Sequence, residues 1–323
     1  MPATPAKVPL AGTEAAVRFS VQTGQQNIEW GELSEAWQRL EALGYDGAWT
    51  IDHFLPTGTR DTEGPCMDGW VVLAALAAET ERLRFGTLVT GNLFRNPALL
   101  AKTATTIDQI SGGRLEFGIG AGNNPLEHAA YGWPFPSARE RLDRLDEALQ
   151  LIRLLWSEEE EVSFEGEYYT LSQAPFRPPP VQRPHPPILV GGAGERRTLN
   201  IVARHADAWN GVGTAADLAP KVEVLKQHCN DVGRRFEEIR LTGGTPLIPD
   251  AIYERWTERT AGRRGISVEE QRAQTIGGPA ESMQAAVQGY VDGGFDEVIL
   301  MMNTPYDWPA IERFASEVAP AFR

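Results

Sequence analysis

The chain has 323 residues, of which 42% are hydrophobic and 23% charged, a balance that excludes an intrinsically disordered protein. Its 44 acidic and 30 basic residues give a formal net charge of −14, which argues against nucleic acid and anionic membranes as partners. The sequence has neither the roughly 20 consecutive apolar residues of a membrane-spanning helix nor a signal peptide or cysteine framework. We therefore expect a soluble, cytoplasmic protein.

Eight short runs rich in β-branched and aromatic residues predict strands, because each is bounded by Gly, Asp, Asn or Pro. In chain order they are 17–21, 47–51, 83–89, 115–119, 188–190, 208–212, 239–242 and 297–301. Apolar residues spaced three and four apart predict helices between these strands. The predicted helices are 33–43, 69–81, 97–110, 142–155, 195–204, 218–231, 280–292 and 308–319.

Strict alternation of strands and helices favours a parallel sheet with helical crossovers. Eight such units in about 300 residues match the count and size of a closed (β/α)₈ barrel. An open doubly wound sheet is the alternative, but its usual five or six strands would leave two units unplaced. The sequence therefore predicts an α/β fold, a single TIM barrel spanning 1–323 with insertions.

Two insertions interrupt the alternation. Residues 157–187 contain the segment SFEGEYYTL, which predicts a surface hairpin around its Glu-Gly turn, followed by a proline-rich extended stretch. Residues 246–279 lie between the seventh strand and the seventh helix, on the face where barrel enzymes keep their active sites. They are interpreted as an active-site lid or, alternatively, as a surface insertion.

Residues at the carboxyl ends of barrel strands are the first candidates for chemistry. Asp52 and His53 follow the second strand, where a histidine can exchange a proton near neutral pH and a carboxylate can orient a ligand. The alternative is that the pair only caps the following turn. Glu127 and His128 fall in a predicted loop after the fourth strand, with a substrate-orienting or a surface role.

Two glycine-rich strand ends predict close ligand approach. The fourth strand leads into Gly120, Ala121, Gly122 and Asn123, where missing side chains admit a flat ligand. The fifth leads into Gly191–Gly194 and a predicted helix beginning at Glu195, an arrangement suited to phosphate or to a plain tight turn. Rossmann, Walker A, HExxH and GxSxG patterns are absent from the sequence, and we predict no metal site.

Four segments together carry a family resemblance: GYDGAWTIDHF, FGTLVTGNLFRNPALLAKTATTIDQISGGRLEFGIGAG, EHAAYG and PPILVGGAGERRTLNIVARHADAWN. They resemble the luciferase-like monooxygenase superfamily and, more narrowly, its branch that uses the deazaflavin coenzyme F420. The resemblance extends from residue 17 to 302 and implies the bacterial-luciferase-like (β/α)₈ barrel. Because members of the family are often dimers, it also allows a homodimer, and the oligomeric state stays open.

The resemblance implies specific roles along the chain. Asp52 and His53 would lie beside the deazaflavin ring, with His53 near the edge that carries the hydride. Leu88 and Val89 match the place where the family often has a non-proline cis peptide behind the ring. The cofactor-binding residues implied in this way are Asp52, His53, Thr87, Leu88, Val89, Thr90, Gly120, Ala121, Gly122, Asn123, Gly191, Gly192, Ala193, Gly194 and Arg196; the last five would receive the cofactor phosphate.

The sequence also departs from part of that branch. Its sugar-phosphate dehydrogenases have a catalytic Glu where this chain has Asn123, and a Trp where it has Pro56 and Thr57. These differences argue against glucose 6-phosphate as the substrate and suggest that Asn123 binds rather than titrates.

The function implied by the resemblance is hydride transfer between F420 and a small organic substrate, with His53 as proton donor or acceptor. Two alternatives remain: an FMN-dependent monooxygenase of the same superfamily, and an F420-binding protein without turnover.

Overall fold

The computed structural model describes residues 16–58, 61–157 and 161–323. Its strands are β1 (Arg18–Gln22), β2 (Gly47–Thr50), β3 (Arg84–Thr87), β4 (Thr90–Gly91), β5 (Phe117–Gly120), β6 (Glu161–Glu165), β7 (Thr170–Pro175), β8 (Ile188–Gly191), β9 (Ala208–Val212), β10 (Arg240–Pro246) and β11 (Glu297–Met301). Its helices are α1 (Trp30–Ala42), α2 (Gly69–Glu79), α3 (Pro97–Ser111), α4 (Pro125–Tyr131), α5 (Ala138–Leu155), α6 (Thr198–His205), α7 (Ala215–Val232), α8 (Tyr253–Arg264), α9 (Val268–Arg272), α10 (Ala280–Asp292) and α11 (Trp308–Arg313).

Nine of these strands form one parallel sheet in the order β3-β2-β1-β11-β10-β9-β8-β5-β4. β3 and β4 are two parts of one barrel strand, separated by Leu88 and Val89, whose peptide bond is cis. β4 pairs with β5, and a parallel bridge joins Phe85 of β3 to Leu115 just before β5. The sheet therefore closes into an eight-stranded parallel barrel, which confirms the predicted (β/α)₈ fold class.

The core lies in two layers. Between the sheet and the surrounding helices, large side chains such as Trp37, Phe85 and Trp156 are buried in one continuous cluster. Inside the barrel, a smaller cluster is formed by Trp49, Leu189, Ala208 and Ile299, and Leu88 and Val89 pack on top of it. This interior layer closes the barrel and supplies a floor on which a cavity can sit.

The amino-terminal end of the barrel is closed by charge rather than by apolar side chains. Glu116 and Glu297 are fully buried there, and Glu116 accepts hydrogen bonds from Arg18 (3.0 Å), Arg84 (2.7 Å) and Arg240. Strand register explains the meeting, because Arg18 of β1 pairs with Glu297 of β11. We refer to these five residues as the basal cluster.

Several predicted bounds differ from the structure by a few residues, and three differences concern the segments that follow or form the fourth and fifth predicted strands. The fourth strand begins at Phe117 rather than at residue 115, and the predicted helix 195–204 begins at Thr198, so that Glu195 to Arg197 belong to the preceding turn. The predicted loop that carries Glu127 and His128 is helix α4. The signals for α4 were present: Asn124 caps its first turn, Pro125 opens it, and Gly132 ends it with a positive φ of 71°.

The first insertion contains an antiparallel hairpin of β6 and β7, and the acidic residues 158–160 before it lie outside the described residues. Its proline-rich part lies along α3, where Asp108 accepts the backbone N–H groups of Val181 and Gln182. The second insertion, 246–279, folds as α8 and α9, and Arg264 joins it to Asp217 of α7 (2.9 Å). None of its residues lines the cavity described below, and its role as a lid stays a prediction.

Within the described ranges, no helix is long and apolar enough to cross a membrane. The same residues contain no cluster of three or more His, Cys, Asp or Glu side chains able to hold a metal ion.

Candidate active site

A cavity of about 370 Å³ opens at the carboxyl ends of the barrel strands. The side chains and backbone that line it are those of Gln22, Asp52, His53, Leu88, Val89, Thr90, Gly91, Phe94, Gly120, Ala121, Gly122, Asn123, Gly191, Gly192, Thr198, Asn210, Val212 and Met301. Most of the residues predicted from sequence therefore meet in one place. Leu88 and Val89 form its floor, because they rest on the interior core.

Four predicted residues do not line the cavity. Thr87 is fully buried in the barrel wall, where its hydroxyl donates to the carbonyl of Gly118 (3.0 Å). Ala193, Gly194 and Arg196 are exposed on the turn that leads from β8 to α6. This turn continues the cavity wall outward from Gly191 and Gly192.

Sequence reasoning missed seven lining residues: Gln22, Gly91, Phe94, Thr198, Asn210, Val212 and Met301. Gln22, Gly91, Val212 and Met301 are the last residues of β1, β4, β9 and β11. The rule that barrel sites form at carboxyl ends of strands would have found these four, had it been applied to every strand.

Asp52 is held by a buried hydrogen-bond network. Arg95 donates to both of its carboxylate oxygens (2.9 and 2.7 Å) and also to Asp68 (2.7 Å), the residue that caps α2. Thr90 donates its hydroxyl to Asp52 and accepts the indole N–H of Trp70 (3.1 Å). Burial raises the pKa of Asp52, and Arg95 and Thr90 oppose that shift. The network fixes Asp52 against the ends of β2 and β4.

His53 is held by Glu127. The Nδ1 atom of its ring lies 2.8 Å from Oε2 of Glu127, whose side chain is fully buried, whereas 22% of the His53 side chain is exposed. The second oxygen of Glu127 accepts the backbone N–H groups of Phe54 (2.7 Å) and Leu55 (3.1 Å). Burial opposes ionisation of Glu127, but these hydrogen bonds hold its pKa below the ordinary value. Glu127 is therefore a carboxylate at neutral pH.

The cavity walls consist largely of backbone. A β-carbon at Gly120 would lie 2.9 Å from one methyl group of Val89, and a β-carbon at Gly191 would lie 2.9 Å from the other. Both distances are shorter than carbon atoms approach one another in proteins, so Val89 requires glycine on either side. With no side chains on these walls, a flat molecule can lie against the Leu88–Val89 floor.

The turn from β8 to α6 leaves a helix start without a side-chain cap. The residue before α6, Arg197, makes no capping hydrogen bond and instead pairs with Asp143. Gly192 has a φ of +126°, and a β-carbon at Gly194 would lie 2.8 Å from Oγ1 of Thr198. A first helical turn without a side-chain cap, preceded by a glycine turn that a ligand can approach closely, is suited to an anion.

A family model described as luciferase-like monooxygenase matches residues 12–314. The chain belongs to this family. Membership confirms the resemblance read from the four sequence segments.

Among curated relatives, a Kineococcus radiotolerans protein named F420-dependent glucose-6-phosphate dehydrogenase is 30% identical over 318 residues. The alignment covers 91% of this chain and 93% of that protein. A Mycobacterium tuberculosis protein named F420-dependent hydroxymycolic acid dehydrogenase is 30% identical over 311 residues, covering 88% and 83%.

The fold is also similar to that of a solved F420-dependent secondary alcohol dehydrogenase in complex with an F420-acetone adduct. The TM-score is 0.82 at 21% identity, with 95% of this chain and 99% of the other covered. At this level of identity the likeness shows the shared barrel fold.

Proposed function

We propose that the protein is a coenzyme F420-dependent oxidoreductase that transfers a hydride between the deazaflavin and a small, uncharged organic substrate. The observation that carries this proposal is the cavity itself. The cavity combines an apolar floor and glycine walls with a lining histidine, and next to Gly191 and Gly192 it approaches the start of α6, which has no side-chain cap. Relatives named as F420-dependent dehydrogenases support the choice of cofactor.

The residues present fit a planar tricyclic ring. Leu88 and Val89 offer an apolar surface, and Gly120 and Gly191 add no side chain that would obstruct a ring above it. Asp52 and Asn123 supply polar groups at the cavity surface. When bound, the deazaflavin supplies the hydride chemistry; the protein binds it, orients it and handles the accompanying proton.

His53 is proposed as the group that exchanges that proton. It is the only imidazole among the described residues that line the cavity, and its ring is partly exposed toward it. A side chain of this type can take a proton from a substrate hydroxyl or return one to a carbonyl oxygen near neutral pH.

The remaining lining residues favour an uncharged substrate. Beyond the floor, Phe94, Val212 and Met301 are apolar, and Gln22 and Asn210 are neutral amides. Asp52 is the one carboxyl side chain, and Lys and Arg are absent, among the described residues that line this space, so a phosphate group would find no cation to pair with there. We therefore propose an alcohol or carbonyl compound without phosphate, rather than glucose 6-phosphate.

Cofactor titration tests the proposal directly. We expect the purified protein to bind F420 and to turn over with it on at least one member of a panel of uncharged alcohols and carbonyl compounds. Tight binding of FMN without binding of F420 would instead support an oxygen-using monooxygenase. The ring nitrogen of FMN permits reaction with oxygen, whereas the carbon at that place in the deazaflavin reacts poorly with it. Binding of F420 with no turnover across the panel would support the non-catalytic alternative.

The phosphate of the cofactor tail is proposed to bind at the Gly191–Gly194 turn, with Arg196 beside it. Arg196→Glu should weaken F420 binding about 10-fold, because it replaces an attracting charge by a repelling one. The same deazaflavin without its phosphate tail should bind the variant and the wild type equally well. Isothermal titration calorimetry at two salt concentrations measures the affinity of each protein for F420 and for the deazaflavin without its tail.

A matched control is Arg255→Glu, which makes the same charge change at an exposed position on α8, away from the cavity. Equal weakening by the two substitutions would show a general charge effect and would contradict binding of the cofactor tail at this turn.

The homodimer and the cytoplasmic location stay predictions.

A further inference from the structure

The contact between His53 and Glu127 determines where the imidazole proton lies. An ionised carboxylate can only accept hydrogen bonds, so the nitrogen that lies 2.8 Å from Oε2 of Glu127 must carry a hydrogen. That nitrogen is Nδ1. A neutral imidazole carries one N–H, which leaves Nε2 as an unprotonated acceptor. Because His53 lines the cavity while Glu127 is fully buried, the ring presents its other edge to the cavity.

We propose that Glu127 is a positioning residue that holds His53 in the Nδ1–H tautomer, so that Nε2 faces the cavity as a proton acceptor. The kinetic consequence rests on the proposed function, but the tautomer does not. When the substrate is an alcohol, its O–H proton goes to Nε2. The C–H bond breaks as its electron pair leaves with the hydride to the oxidised deazaflavin, and a carbonyl remains.

Capping of backbone N–H groups explains only one of the two carboxylate oxygens of Glu127. Only Oε1 accepts the N–H groups of Phe54 and Leu55, and Oε2 makes its hydrogen bond to His53. One oxygen thus fixes the path of the chain after His53, and the other fixes the ring. The two functions can be separated experimentally. An amide at this position still accepts from the backbone but donates to the ring of His53 instead of accepting from it.

Glu127→Gln is that experiment. Its amide oxygen can still accept from Phe54 and Leu55, but its NH₂ group donates to Nδ1 and so requires the proton to move to Nε2. Nitrogen-15 NMR of the cofactor-free protein, at a pH where the ring is neutral, distinguishes the tautomers by which nitrogen gives the pyrrole-type shift. The signals of His53, one of five histidines, are assigned by their loss in His53→Gln.

The expected wild-type result is a pyrrole-type Nδ1 and a pyridine-type Nε2, reversed in Glu127→Gln. A pyrrole-type Nε2 in the wild type would overturn the proposal even if the variant failed to fold. A spectrum that Glu127→Gln leaves unchanged would overturn it as well. Because no cofactor is present, neither result depends on the proposed function.

Turnover supplies the second readout. With F420 and an oxidisable alcohol, Glu127→Gln should lower kcat by about 10²-fold while KM and F420 affinity stay close to wild type, because only the proton acceptor is lost. Equal kcat in variant and wild type would overturn the positioning role. The expected tautomers without F420 turnover in the wild type would reject the proposed function and leave the tautomer assignment standing.

Glu147→Gln is the matched control. Glu147 accepts the backbone N–H groups of Glu167, Tyr168 and Tyr169 at the hairpin turn, and no hydrogen bond joins it to a histidine within the part of the chain that the structure describes. The substitution should leave the His53 spectrum and kcat unchanged. A fall in kcat equal to that of Glu127→Gln would show that loss of a capping carboxylate, rather than the tautomer, lowers turnover, and would overturn the proposal.

Discussion

His53→Ala is expected to lower kcat with F420 by about 10²- to 10⁴-fold, the range usually contributed by a positioned general acid or base. Cofactor affinity should change little, because the floor at Leu88–Val89 and the glycine walls are left intact. Stopped-flow measurement of deazaflavin reduction at saturating substrate, together with an F420 binding isotherm, separates the two effects.

His205→Ala provides the comparison for that loss. The Nε2 atom of His205 lies 2.7 Å from Oδ1 of Asp146, so it is also a partly buried histidine paired with a carboxylate, but it does not line the cavity. Its removal should affect stability and leave kcat unchanged. Unchanged turnover in His53→Ala would remove His53 from the mechanism and leave catalysis to the cofactor and its binding.

The barrel could be predicted because its signals are local. Each strand is a short run with turn residues on both sides, and each long helix shows its own apolar face, so eight repeats establish the topology without any long-range contact. The errors occur where those signals are short. Helix α4 has seven residues and no apolar stripe, and only its caps marked it.

The site was predictable where chain position determines it, as for His53 at the end of β2. Its partner was not, because Glu127 lies 74 residues further along and no local pattern joins the two. Reading α4 as a loop hid this contact, since a loop does not direct a carboxylate back toward the barrel. The basal cluster was missed for a similar reason: it depends on strand register, which composition does not show.

Glu116→Gln is expected to cost about 3 kcal/mol of the free energy of unfolding, at the lower end of the range for breaking a buried ion pair. Glu116 is fully buried and accepts from Arg18, Arg84 and Arg240. An amide in its place would remove the carboxylate that pairs with Arg84 and would leave Arg18 and Arg240 with Glu297, which lies 3.7 Å from each. The lower end applies because Arg84 and Arg240 are 27% and 21% exposed, which lets water solvate part of the excess charge.

Glu312→Gln makes the same change in an exposed pair with Arg39 and should cost no more than about 1 kcal/mol. Equal losses in the two variants, measured by urea unfolding, would show that the basal cluster stabilises the fold no more than a surface pair does.

The pH dependence of the free energy of unfolding gives an independent check on the role of Glu116. Although burial opposes ionisation, the arginines hold the pKa of Glu116 well below its ordinary value. A glutamate in the unfolded chain titrates near about 4.3, so the contribution is complete above that pH and is lost as pH falls toward the folded pKa. The difference between wild type and Glu116→Gln should therefore stay constant from about pH 7 to 5 and shrink below about pH 4.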